Sequence, residues 1–147
     1  MKSFYLIFGE RVRDAFVQAW HNTITNSSKY ITYSVYKKQF ILEKYMDLLS
    51  LKYRISLSKL RLSSHKLQVE IGRYAQNNVS RNQRVCSLCN SGDIEDEYHF
   101  IIVCPVYTHF RSLYIKKYYY TRPSVFKFIE LMGSDSKLIM RNVAKFL

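Results

Sequence analysis

All three cysteines of the 147-residue chain fall within nineteen residues of one another, in the stretch RVCSLCNSGDIEDEYHFIIVCP that runs from Arg84 to Pro105. Two residues separate Cys86 from Cys89, nine intervene before His99, and four more before Cys104. An odd number of thiols crowded together does not make a disulfide framework, which uses even numbers spread along a secreted chain. Three thiolates and one imidazole are instead a closed tetrahedral set for Zn2+, an ion that imposes no geometry of its own and takes soft or borderline donors. Cys86, Cys89, His99 and Cys104 are therefore the candidate metal ligands, and such a set leaves no coordination position for a catalytic water. His109 is the nearby rival for the fourth position. The alternative to a metal is a buried Cys104 thiol in the run FIIVC with His99 merely exposed, since cysteine is among the most buried residue types.

Other catalytic constellations are thin. The five aspartates, at 14, 47, 93, 96 and 135, include no adjacent pair to hold polymerase metal ions, and no glycine-rich phosphate loop or HExxH pattern occurs. The one dense carboxylate group, DIEDE at 93–97, lies between the proposed ligands. It suits the N-terminus of a helix carrying His99, where negative charge meets the helix dipole, or the orientation of His99 from behind. The chain is expected not to be an enzyme.

Charge is the second signal. Lys and Arg number 23 against 11 acidic residues, a formal net charge of +12. The segment 86–104 carries four acids and no Lys or Arg, so the positive field comes from both flanks, with 15 basic and 5 acidic residues before it and 8 and 2 after it. A field of that sign attracts polyanions, and RNA or DNA is the expected partner. The 13 tyrosines fall repeatedly among cations, as in KKYYYTR at 116–122 and GRY at 72–74. Such aromatics can stack unpaired bases, or can serve as core-edge residues with a wet hydroxyl. Arg73, Arg81, Arg84, Arg111, Lys116 and Lys117 are the candidate phosphate contacts.

The elements that must position these groups read as helices. Val12, Ala15, Phe16, Ala19 and Trp20 predict an amphipathic helix over about 9–22, and Phe40, Ile41, Tyr45, Leu48 and Leu49 another over about 34–50. A third is expected near 55–64, with Leu57, Leu60 and Ser64 inward and Lys59 and Arg61 outward. LQVEIGRY at 67–74 alternates like a short strand, and 74–84 is a polar loop. Spacing puts His99 and Cys104 nearly one and a half helical turns apart, so the helix must bend or end near Pro105. Helices are expected from there to about Tyr119, from Ser124 to Gly133, and after a cap at Ser134 or Ser136. The fold class expected is mainly α, a small helical domain with an inserted CCHC zinc knuckle and room for one short β segment. Its parts are a helical segment over 1–83, the knuckle over 84–106 and helices over 107–147 that pack back on the first segment. No run of eighteen apolar residues spans a membrane, and MKSFYLIF lacks the length and cleavage site of a signal peptide, so an intracellular location, nucleus or cytoplasm, with reduced thiols is expected.

Several of these features together carry a resemblance. LRxSxHxLxxExGRY from Leu60 to Tyr74, the CxxC pair, EDExHF from Glu95 to Phe100, the Cys104-Pro105 step, and Tyr107 with Arg111 resemble the C-terminal region of the reverse-transcriptase polyprotein of non-LTR (LINE-type) retrotransposons. The helical stretch over 13–49 and the closing run FIELMGSDSKLIMRNVAKFL are similar to the same region. The resemblance implies a module of a larger polyprotein whose endonuclease and polymerase domains lie elsewhere. It implies zinc on Cys86, Cys89, His99 and Cys104, and a grip on template RNA or target DNA without catalysis of its own. Two other roles fit the same residues: a zinc-held scaffold that docks on the polymerase body, and a decayed copy with no selected role.

Overall fold

The computed structural model describes residues 4–75 and 79–147, with side chains from Leu6 onward, so the 76–78 part of the expected polar loop lies outside the described residues. The chain is mainly helical, with no sheet among the described residues. Among the described residues nine α-helices follow one another: α1 Phe4–Asn26, α2 Ile31–Tyr36, α3 Lys44–Leu48, α4 Leu51–Arg61, α5 Gln68–Tyr74, α6 Thr108–Tyr114, α7 Lys117–Tyr120, α8 Val125–Met132 and α9 Lys137–Phe146. None of the described helices is long and apolar enough to cross a membrane.

One core joins the middle and C-terminal helices to the cysteine-rich segment. Tyr45 and Leu49, Leu57 and Leu60 of α4, Ile115, Tyr119, Phe128 and Leu131 and Met132 of α8, and Met140 and Val143 of α9 are all buried together. Ile101 and Ile102, which lie between His99 and Cys104, belong to the same cluster. The second half of the knuckle is thus part of the main core. Helix starts follow local chemistry. Ser124 Oγ accepts the Lys127 N–H at the head of α8, and Ser136 Oγ accepts the Ile139 N–H at the head of α9.

Four expectations from sequence need correction. The helix expected over 34–50 is broken between Tyr36 and Lys44. Lys37 is buried there, and its ammonium donates to the Ile41 carbonyl and pairs with Glu43, which curls the chain around the charge. Arg61 points inward. It is only 4% exposed, pairs with Glu43, donates to the Met132 carbonyl of α8 and lies about 5 Å from the Tyr36 and Tyr45 rings at 4.9 and 5.1 Å. The alternating run at 67–74 is α5 rather than a strand, because Val69, Glu70 and Gly72 are all buried while Ile71 is exposed, and Glu95 supplies a carboxylate to its first turn. The strand-like pairing is an isolated antiparallel bridge between Val85 and Ile94. The helix expected from Pro105 to Tyr119 is three pieces, a 3-10 turn over Pro105–Tyr107 followed by α6 and α7, with an extended Ile115 between them that drops its side chain into the core.

α1 runs further than its periodicity, and its apolar stripe does not face the core: Phe16 is 63% exposed, and Ile24 is the buried residue among 6–26.

Candidate metal centre

The bridge between Val85 and Ile94 folds the CxxC segment back on itself, with the Cys86 N–H donating to the Asp93 carbonyl and the Glu95 N–H to the Arg84 carbonyl. Asn90 and Gly92 turn the hairpin at φ 53° and 78°, backbone that glycine adopts freely and asparagine tolerates. This puts Cys86 and Cys89 over the start of the next segment, where Asp96 Oδ1 accepts the His99 N–H at 3.0 Å as an N-cap.

From His99 to Val103 the backbone is a π helix, closed by the Cys104 N–H donating to the His99 carbonyl at 2.7 Å. In an α-helix, residues five apart point about 140° away from each other. Widening the turn by one residue brings His99 and Cys104 round to one side, and such single-turn π segments recur at functional sites.

The result is a convergent set. Sγ of Cys86, Cys89 and Cys104 and a ring nitrogen of His99 all lie within 4.8 Å of one another, and Cys89 Sγ is 3.3 Å from His99 Nε2. Tetrahedral coordination with metal–sulfur bonds near 2.3 Å separates donors by about 3.5–3.8 Å, so the widest pair must close by about 1 Å. The four residues can hold a metal ion. Their burial fits this role: Cys104 and His99 are 0% and 2% exposed, so His99 is not the surface residue of the metal-free alternative. His109 is exposed, against the Phe110 ring, and stands outside the cluster.

The electrostatics point the same way. Burial pushes the Cys104 thiol up to about 11 and raises Cys86, whereas hydrogen bonding to Ser91 holds the half-exposed Cys89 down at about 6. Three crowded thiols resist becoming thiolates together until a cation joins them. His99 Nδ1 is buried with no hydrogen-bond partner, and Asp93 Oδ2 stands 3.7 Å from it. A ligating histidine ordinarily gives that second N–H to a carboxylate. Asp93 is 58% exposed at its side chain and a small rotation would complete the bond.

The remaining acids of DIEDE are spent within the fold. Glu95 Oε2 accepts the Gln68 N–H at 2.8 Å and its carbonyl accepts the Val69 N–H, which fastens α5 to the knuckle. Glu97 Oε1 lies 3.0 Å from the Ser63 hydroxyl and 2.9 Å from His65 Nε2. Burial alone would lift the Glu97 carboxyl, but hydrogen bonds from His65 and Thr32 outweigh it and hold the group below its ordinary value. Ser63 and His65 were not singled out from sequence. Their signal was the pairing of two distant runs, SxHxL and EDExHF, which turn out to face each other.

The six expected phosphate contacts divide sharply. Lys116 and Lys117 are exposed. Arg73 is partly buried, paired with Glu70 and bonded to the Ser28 hydroxyl and carbonyl, and Arg81 pairs with Asp96 at 3.0 Å. Arg84 donates to the Val79 and Val69 carbonyls and crosses α5 at Gly72, where a Cβ would sit 2.7 Å from Arg84 Cγ. Arg111 is 2% exposed and its guanidinium donates to the carbonyls of Phe100, Ile101 and Cys104, which corrects its expected role: it clamps the π helix and does not reach solvent.

No protein-family model, curated protein or solved structure matches the chain.

Proposed function

We propose that the chain is a zinc-stabilised, nucleic-acid-binding module without catalysis of its own, and that it derives from the C-terminal region of a non-LTR retrotransposon reverse transcriptase. Zinc is the metal that best suits three thiolates and one imidazole in a buried, closed set. RNA or DNA is the partner that suits the surface.

The observation that carries the nucleic-acid reading is where the charges end up. Thirteen Lys and Arg side chains are exposed against six exposed carboxylates among the described residues, and three of the four acids of the 86–104 segment, Glu95, Asp96 and Glu97, are wholly or partly buried. The acids that interrupt the basic chain in sequence do little to interrupt its surface. Contacts made by such cations position a phosphate backbone and carry little base preference.

The test is binding of labelled RNA and DNA across a salt series. If about five phosphates are neutralised, log affinity falls with log salt at a slope of about −4 to −5, and Lys117→Glu with Lys116→Glu lowers affinity while helix content is retained. A flat salt response contradicts the reading.

The exposed apolar stripe of α1, with Phe8, Val12 and Phe16 at four-residue spacing and 59, 38 and 63% exposed, favours a second role alongside it. A helix of this kind suits docking on a larger protein body, such as the polymerase portion of the same polyprotein. Pull-down of that portion by the chain, lost in Phe16→Glu, is the expected outcome.

A further inference from the structure

Two clefts adjoin beside the knuckle and share one rim. The larger, of about 620 Å³, is lined by Lys59 of α4, Lys66, Gln68, Ser87 and Leu88 of the CxxC turn, and Tyr107. The smaller, of about 400 Å³, runs from the opposite side of Ser64, His65 and Lys66 toward Lys29 and Tyr74. Both clefts are open to solvent along their length, and together they are long enough for an extended ligand rather than a water or an ion.

The side-chain charge left unpaired within this trough is one-sided. The ammonium groups of Lys29, Lys59 and Lys66 have no carboxylate partner among the described residues. The carboxylates that line it, Glu95 in the larger cleft and Glu70 in the smaller, are 5% and 6% exposed and already engaged, by the Gln68 N–H and by Arg73. At the far end the Tyr74 ring is 71% exposed and faces no other aromatic ring among the described residues, although it ends a helix otherwise packed against the knuckle. The shared rim is rigid. Ser63 holds φ 50°, its hydroxyl lies 2.9 Å from the Lys29 carbonyl, and His65 is pinned by Glu97.

We propose that the two clefts together seat a single-stranded polynucleotide, with phosphates on Lys29, Lys66 and Lys59 and an unpaired base against Tyr74. The combination of a cationic track and an open aromatic face is what sequence-tolerant single-strand binding requires, and a duplex would hide its bases from Tyr74. The proposal rests on the nucleic-acid reading above and narrows it to one face and one strand form.

The experiment titrates the zinc-loaded full chain with fluorescein-labelled oligouridine and oligothymidine across a salt series. Lys59→Gln with Lys66→Gln is expected to reduce the magnitude of the salt slope by about 1.4, two phosphates at about 0.7 each for single strands. Tyr74→Ala is expected to weaken binding about fivefold or more, with an unchanged salt slope. Lys137→Gln with Lys145→Gln on α9 serves as the control and is expected to leave affinity within about twofold. Because Lys59, Lys66 and Tyr74 are exposed, unchanged melting temperatures are expected for the trough variants. If the wild-type chain binds and the trough variants bind equally well, the trough is overturned while the nucleic-acid reading stands. If the wild-type chain binds neither strand, both fall. Equal displacement of the label by duplex and by unlabelled single strand overturns the single-strand specificity.

Discussion

The Cys104 amide donates to the His99 carbonyl across five residues, at 2.7 Å, so two of the four candidate metal ligands are linked by one backbone hydrogen bond. That bond sets the register in which imidazole and thiol meet. In a regular α-helix the same five-residue spacing would turn imidazole and thiol about 140° apart, and one inserted residue, a six-residue spacing, would still leave them about 120° apart. Insertion of one alanine after the half-buried Val103 is therefore expected to abolish tight metal uptake, whereas Val103→Ala retains it, as read by metal content after gel filtration.

Arg111 closes the same turn from behind. Its guanidinium reaches three carbonyls that have no water to turn to, those of Phe100, Ile101 and Cys104. Arg111→Ala is expected to cost about 3 kcal/mol in denaturant unfolding, since losing a charged donor strands buried acceptors. Arg111→Lys recovers only part of this, because an ammonium cannot reproduce the planar fork. Arg111→Ala with full stability would contradict the assignment and return Arg111 to the surface set.

Gly72 offers a prediction of opposite sign to the general rule. A glycine inside a helix is normally improved by alanine, by about 1 kcal/mol. Here the new Cβ would meet the Arg84 side chain at 2.7 Å and displace the bonds from Arg84 to Val69 and Val79. Gly72→Ala is expected to destabilise by about 1–2 kcal/mol in the wild-type background. In an Arg84→Ala background the same change becomes neutral or stabilising, a coupling that a double-mutant cycle of melting curves measures directly.

Ser63 and His65 both depend on the buried Glu97 carboxylate. Glu97→Ala is expected to destabilise by about 2–3 kcal/mol, and His65→Ala to add less in that background than in the wild type. Additive losses would mean that the loop and the knuckle are held independently.

What could be read from the sequence was what depended on local spacing. The ligand set is legible because Cys86 and Cys89 sit in one turn and His99 and Cys104 in another, and DIEDE is legible as capping chemistry because it leads into His99, although only the fold picks out Asp96 as the cap. The mainly helical class follows from three-to-four periodicity, and capping chemistry marks the Ser124 start and narrows the last one to Ser134 or Ser136, of which the fold uses Ser136. Arg61 and Arg111 were misjudged for one reason: a cation's burial is decided by carbonyls and carboxylates that fold brings from afar, here Met132 and Glu43 for Arg61. The alternation in LQVEIGRY was misleading because its inward residues serve contacts to Glu95 and Arg84 rather than the face of a sheet. α1 kept the periodicity of a core helix without a core to face, which sequence alone does not distinguish.

The central claim is that Cys86, Cys89, His99 and Cys104 hold one zinc ion that fixes the knuckle onto the helical core. Structural zinc binding is worth about 10–16 kcal/mol in small modules, comparable to the whole stability of a domain, so its removal should be plain. The decisive measurement is native mass spectrometry of the purified, reduced chain beside its Cys104→Ser variant, followed by chelation while helical circular dichroism is recorded. One zinc per wild-type chain, none in the variant, and loss of helical signal on chelation is the predicted result. A wild-type chain that stays metal-free when zinc is supplied, or a Cys104→Ser variant that binds zinc as tightly as the wild type, would contradict the account.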